Sequence, residues 1–350
     1  MIKREIWEEL NAKVKEKRTS DTVDIVKRLK IIAPHNIYIK NYPLKQPTTA
    51  FNASMKVVED KIRIFSRITV GYYTYTSAIV EFDLPIDSLN IKEDKEIYEA
   101  EMTIIPDNRY DLWGVEDPRV NEIEGNLYIT YVGRTINYFD EDVRTEKTLP
   151  VVAVKREGVW KKIATFVMQD EIRSMVISDK NAFMFKGKEL LLFHRLHMLN
   201  GKFYLSVCKI PESVLSYSTF KEVIIGENIT ALEPADFEIK IGWATPPIKV
   251  GEDDYLVFIH AEGKELKTYR VFSVLMNSEG LFTAVTPFYI MEPRENYEIY
   301  GDRPFVVFPC GADIYENKVY ISYGAADSVI GIGEIDLEYL LEILDKNRIY

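Results

Sequence analysis

Glu116 and Asp117 stand side by side in the segment Trp113-Gly114-Val115-Glu116-Asp117-Pro118-Arg119. Two adjacent acids, a proline that restricts the backbone and a guanidinium make a loop able to aim a carboxyl group rigidly, and a rigidly aimed carboxyl is what proton transfer requires. The same string also reads as a salt-bridged turn, because Asp-Pro is common in turns and a neighbouring arginine pairs readily with an acid. Other polar residues recur at the ends of strand-like runs: Asn52, Arg67, His194-Arg195, Lys249, His260 and Asp327. Arg67, Arg195, Lys249 and His260, with Arg173 as a fifth candidate, have the chemistry of an anion site. Arginine's planar fork donates two parallel hydrogen bonds to an oxyanion, and lysine adds a compact charge. Each could instead be a surface salt-bridge partner. No His, Cys or carboxylate spacing suggests a metal, and His35, His194, His197 and His260 are the only histidines.

The elements that must hold these groups are strands. From about Ile37 to Ile335 the chain is a series of short β-runs separated by Gly, Pro, Asn and Asp clusters. Five hairpins stand out: Ala53 to Val58 with Lys61 to Ile68, Pro118 to Ile123 with Asn126 to Val132, Ala182 to Phe185 with Glu189 to His194, Pro247 to Val250 with Tyr255 to His260, and Ala312 to Tyr315 with Lys318 to Tyr323. Their centres lie about 65 residues apart, a period that predicts an all-β fold, a five-bladed β-propeller, in which each blade buries its faces only against its neighbours. A sandwich or jelly roll would explain the strands but not the spacing. In a propeller, polar residues from every blade end would meet near the axis.

Residues 1–36 are expected to form an N-terminal helical extension, 37–336 the propeller and 337–350 a C-terminal helix. Ile6, Leu10 and Val14 have helical spacing, as do Val23, Val26 and Leu29, with Ser20 or Asp21 available as a cap between them. These terminal helices could pack on the propeller or serve a homo-oligomer. A hydrophobic content of 47% supports a large core. A net charge of -11 argues against nucleic acid or an anionic membrane as a partner. Cys208 and Cys310 are too few for a disulfide framework, and the charged start Met1-Ile2-Lys3-Arg4 lacks a secretory signal pattern, so a cytoplasmic location is expected.

In its ordered segments the chain resembles glycoside hydrolase family 130, the β-mannoside phosphorylases, over roughly residues 40–335. The resemblance is carried by Phe51-Asn52, Phe65-Ser66-Arg67, Gly114 to Arg119, Asp179-Lys180, Leu192-Phe193-His194-Arg195, Pro246 to Lys249, Ile259-His260, Tyr297-Glu298, Phe308-Pro309-Cys310-Gly311 and Tyr323 to Asp327. The chain departs from the family's usual Asn-Pro at Asn52-Ala53, Lys-Asp at Lys180-Asn181 and His-Gly at His260-Ala261, which bears on substrate choice more than on reaction class. The resemblance implies a five-bladed propeller that uses inorganic phosphate as co-substrate and needs no cofactor. It implies Asp117 as general acid, its proton passing through the mannose 3-hydroxyl, although Glu116 competes for that role. Asn52, Arg119, Tyr323 and Asp327 would hydrogen-bond the mannose, Trp113 or Tyr300 would offer it an apolar face, and Glu116, His194 and Asp313 are further sugar-site candidates. A phosphorylase needs cations where a hydrolase needs a carboxylate base. The expected reaction is inverting phosphorolysis of a β-mannoside to α-mannose 1-phosphate, with a β-mannoside hydrolase and a non-catalytic glycan-binding propeller as the alternatives.

Overall fold

The computed structural model describes residues 4–71, 76–90, 96–136 and 146–349. It is a five-bladed propeller. The innermost strands, one per blade, are Thr49–Val58, Val115–Ile123, Val176–Lys186, Glu238–Trp243 and Val307–Tyr315. The first blade continues outward through Lys61–Thr69, Ser77–Pro85 and Tyr98–Ile104, the four inner strands of the other blades are antiparallel in the same way, and Ile37–Ile39 and Lys221–Ile225 add parallel fifth strands to the first and second blades.

Strand alternation explains why the apolar runs are continuous. Successive side chains point to opposite faces, and in a propeller both faces of a blade are covered. Leu190 and Leu192 therefore enter the core shared with the second blade, while Leu191 and Phe193 enter the one shared with the fourth. Five such clusters, each shared by two adjacent blades, close the ring.

The fifth blade takes its outermost strand from the other end of the chain. Lys27–Ile32 pairs antiparallel with Val329–Asp336 and closes the circle. The helix expected from Val23, Val26 and Leu29 is therefore absent, and residues 27–32 belong to the propeller sheet. The unpaired edge of that blade outcompetes a short helix, because an isolated helix of this length is marginal while an open edge leaves a row of unsatisfied backbone groups. The first helix, Arg4–Lys17, does form and buries Trp7, Leu10 and Val14 against the third and fourth blades. The C-terminal helix Leu337–Asp345 is capped by Asp336, whose carboxylate accepts the Tyr339 N–H at 2.9 Å, and packs on the fourth and fifth blades.

Four of the five expected hairpins occur as read. In the fourth blade the innermost strand is Glu238–Trp243, and the segment read as that strand contributes only the pair Ile248–Lys249, beside Leu256 and Tyr255.

Candidate active site

The axial cavity, about 1050 Å³, opens where the innermost strands break their regular ladders. Register shifts fall between Phe51 and Ser54, between Glu116 and Arg119, and between Lys180 and Phe183. At each shift one polar residue adopts left-handed backbone: Asn52 at φ 47°, Asp117 at φ 49° and Asn181 at φ 53°. Asn and Asp tolerate this conformation better than other residues with a Cβ, and a bulge re-aims a side chain that a flat ladder would turn aside. Pro118 lacks an N–H and sits where the ladder is interrupted. All three polar residues line the cavity, and Asp327, at φ 52°, joins them from the fifth blade.

Asp117 is 6% exposed, and its Oδ1 accepts hydrogen bonds from Asn52 Nδ2 at 2.8 Å and Arg67 Nη1 at 3.0 Å. The other arm of the Arg67 fork reaches Glu116 Oε1 at 3.0 Å, and Lys180 Nζ donates to Glu116 Oε2 at 3.3 Å. Burial pushes both carboxyls up, but Arg67 and Lys180 outweigh it and hold both below the ordinary carboxylate range. Asp327 behaves differently. Burial, aided by the charge of Asp117, raises it to about 6 against the pull of Arg67 and Arg303.

Another stretch of the cavity wall is cationic. Arg195, Lys240 and Arg303 line it beside Tyr269, whose hydroxyl accepts from Arg303 Nη2 at 2.9 Å. Glu262, behind this wall, pairs with Lys240 at 2.6 Å. His260 is 1% exposed, packed 4.3 Å from the Phe308 ring, and both its ring nitrogens lack a hydrogen-bond partner among the described residues. Burial and the charges of Arg195, Arg119, Lys240 and Arg303 push it well below its ordinary pKa, so the ring is neutral and offers one donor and one acceptor. Gly242 permits this arrangement: a Cβ there would overlap His260 Nε2 and come within 2.8 Å of Asn181 Oδ1, which is also unpartnered. The neutral His260 ring and the buried Arg195 Nε donor, both unpartnered among the described residues, describe a place for an oxyanion beside these cations.

Of the residues singled out in the sequence, Asn52, Arg67, Glu116, Asp117, Arg195 and Asp327 come together on the cavity, with His260 just behind it. The others do not. Lys249 is exposed at the edge of the fourth blade, because the innermost strand there is the one carrying Lys240. Arg173 is engaged by Glu146 and Glu222 at 2.8 and 2.7 Å. Arg119 is fully buried and donates to the carbonyls of Asp117, Trp243 and Ala244, tying the acid's backbone to the fourth blade. Tyr323 is buried with its hydroxyl on Glu298 at 2.8 Å, and Asp313 pairs with Lys56 at 3.0 Å. His194 is fully buried beside Asp179, Trp113 is half-buried off the cavity and Tyr300 is 73% exposed outside it.

Sequence reasoning missed Arg134, Lys147, Lys240, Tyr269 and Arg303, and gave Lys180 and Asn181 no role. The alternation in Glu238-Ile239-Lys240-Ile241-Gly242-Trp243 was the available signal for the true inner strand.

Fold and cavity together define a carbohydrate-active propeller, in which a hydrogen-bonded acid and a cationic wall share one axial cavity. The chain belongs to glycoside hydrolase family 130, whose profile, described as β-1,4-mannooligosaccharide phosphorylase, matches residues 16–346, and it is a glycoside phosphorylase of that family. Among curated proteins, the β-1,2-mannobiose phosphorylase of Thermoanaerobacter sp. (strain X514) is 27% identical over 316 residues, 82% of this chain and 90% of the relative. The 1,2-β-oligomannan phosphorylase of the same organism is 28% identical over 234 residues, 65% of this chain and 70% of the relative. The Listeria innocua β-1,2-mannobiose phosphorylase, solved with β-1,2-mannobiose, shares the fold with a TM-score of 0.71 at 16% identity, over 92% of this chain and 99% of that one.

Proposed function

We propose that this protein phosphorolyses β-1,2-linked manno-oligosaccharides with inversion, releasing α-mannose 1-phosphate and a shortened sugar. One observation carries the reading: Asp117, fixed by Asn52 and Arg67, shares its cavity with a wall made of Arg195, Lys240, Tyr269 and Arg303, whose cations suit an anionic nucleophile. The β-1,2 linkage is taken from the two Thermoanaerobacter relatives, whereas the family description names β-1,4-linked sugars.

In this reaction a phosphate oxygen attacks the anomeric carbon from the face opposite the glycosidic oxygen. The C1–O bond breaks as Asp117 delivers a proton to the departing oxygen, directly or through the sugar 3-hydroxyl. The proton on the transferred phosphate then returns to Asp117, so the acid is regenerated. In the free protein Arg67 and Lys180 favour ionised Asp117. Bound phosphate would offset that positive field, raise the Asp117 pKa and supply the proton, so phosphate makes the acid competent as well as serving as nucleophile.

Hydrolysis has one observation in its favour. Asp327 lines the cavity and, among the described residues, no hydrogen bond or ion pair engages its carboxylate, leaving a base for water. Incubating the protein with β-1,2- and β-1,4-mannobiose, with and without phosphate, separates the two. Phosphate-dependent α-mannose 1-phosphate from the β-1,2 sugar is expected, and mannose released at the same rate without phosphate would sink the phosphorylase reading.

A further inference from the structure

His194 was expected at the sugar, yet its side chain is fully buried behind the cavity. Its Nδ1 lies 2.7 Å from Asp179 Oδ2, and its Nε2 lies 3.2 Å from the Asn228 side-chain oxygen. With Asp179 ionised both ring nitrogens face acceptors, and the doubly protonated imidazolium satisfies both. Burial lowers the ring's proton affinity, but Asp179, helped by Cys208, raises it further and the net shift is well upward. Burial raises Asp179 as well, against the pull of His194 and Arg195. Nε2–H donates to Asn228, and the proton between Nδ1 and Asp179 rests on the ring, whose upward shift is the larger of the two.

The pair sits directly under the cationic wall. Asp179 precedes Lys180 and the left-handed Asn181 on Val176–Lys186, and His194 precedes Arg195 on Leu190–Met198. Lys180 and Arg195 are partners across the two strands at the last regular step before the register shifts. Alternation turns Lys180 and Arg195 toward the cavity and Asp179 and His194 away from it. Around the ring stand Asp179 and Lys180 on one neighbouring strand, Cys208 on the other, Asn228 beyond it and Arg195 on its own strand. Trp243 Nε1 holds the His194 carbonyl at 3.2 Å.

We propose that the buried His194–Asp179 ion pair is a positioning device for phosphate: it clamps the bulge so that Lys180, Asn181 and Arg195 converge on the anion. This rests on the phosphorylase reading for the identity of the anion. Leaving one member alone in the interior strands a buried charge, so either single change should distort the bulge without touching substrate.

The test uses His194→Asn, which can still donate from the Nδ1 position but carries no charge, and Asp179→Asn, with wild type as reference. Expected are a rise of about tenfold or more in KM for phosphate with KM for the mannoside within about twofold, a matching rise in phosphate Kd by calorimetry, and melting temperatures that show folded protein. Nitrogen-15 NMR of histidine-labelled protein should show His194 with both ring protons at pH 7.5 in wild type and its Nδ1 proton lost in Asp179→Asn. A neutral His194 ring in wild type, an unchanged phosphate Kd in both variants, or equal losses toward phosphate and mannoside would overturn the proposal. Should His194→Asn not fold, Asp179→Asn decides by the same readings. A wild type that binds phosphate without turning over would sink the proposed reaction, while the Kd ratio would still judge the clamp.

Discussion

At the scale of single residues, the cavity contains acids held in opposite electrostatic conditions. Asp117 is stabilised as a carboxylate by Arg67 and Asn52, whereas Asp327 is half-buried with no hydrogen bond among the described residues to compensate. Asp117→Asn should reduce phosphorolysis of mannobiose by roughly 10²- to 10⁴-fold, the usual contribution of a general acid. The loss should be far smaller for an aryl β-mannoside whose leaving group needs no proton, and steady-state rates on both substrates check this. For Asp327 the sign runs the other way from a paired acid. Its folded pKa, about 6, lies above the ordinary 3.8, so the folded state holds more protons between those values and stability falls as pH rises through them. Asp327→Asn should therefore stabilise the protein at pH 8, by on the order of 2 kcal/mol, and have little effect at pH 4. Thermal melts at the two pH values would reveal it. Asparagine also tolerates the left-handed backbone at this position, so the comparison is not confounded by strain.

At the scale of elements, the decisive feature is which strand lies innermost. Glu238–Trp243 takes that place in the fourth blade, pairing Gly242 with His260, and this brings Lys240 to the cavity. Lys249 lies on the two-residue strand at the other end of Tyr255–Gly263 and faces solvent. Lys240→Ala should raise KM for phosphate about tenfold or more, on the scale of a charge-assisted contact of roughly 1.5–3 kcal/mol. Lys249→Ala should leave it within about twofold. Phosphate titrations of the initial rate distinguish them, and an equal effect of both changes would contradict the cavity assignment. Much of the element pattern was legible beforehand, because strands covered on both faces give apolar runs punctuated by turns, as in Leu190 to Phe193. The bulges were not. Nothing local in Asn52, Asp117 or Asn181 announces a left-handed backbone, since the register shift arises from pairing with a strand whose position depends on the whole sheet.

At the scale of the molecule, the ring is closed by a strand from near the N-terminus, Lys27–Ile32. Arg18 ties the segment before this strand to the fourth blade, its guanidinium paired with the fully buried Glu238 at 2.5 Å and stacked 3.5 Å from the Phe272 ring. A protein lacking residues 1–32 would expose the edge of Val329–Asp336 together with the apolar patch beneath Trp7. It should melt at markedly lower temperature and associate in size-exclusion chromatography. Arg18→Ala, which strands the Glu238 charge in the interior, should cost about 3–5 kcal/mol in chemical denaturation.

The sequence by itself determined the five-fold repetition, the all-β class and the acid-bearing segment, because each depends on local periodicity or on adjacent residues. It also marked Arg67, Arg195, Asn52 and Asp327, which stand at recurring blade ends. Tertiary structure alone decided that Lys240 rather than Lys249 reaches the cavity, that residues 27–32 form a closing strand rather than a helix, and that His194, Arg119 and Tyr323 face buried protein partners instead of the sugar site. Those outcomes turn on pairing between residues up to 307 positions apart, as in Lys27 with Glu334. An edge strand or a buried charge takes the partner that the closed ring offers, and local sequence does not record that partner.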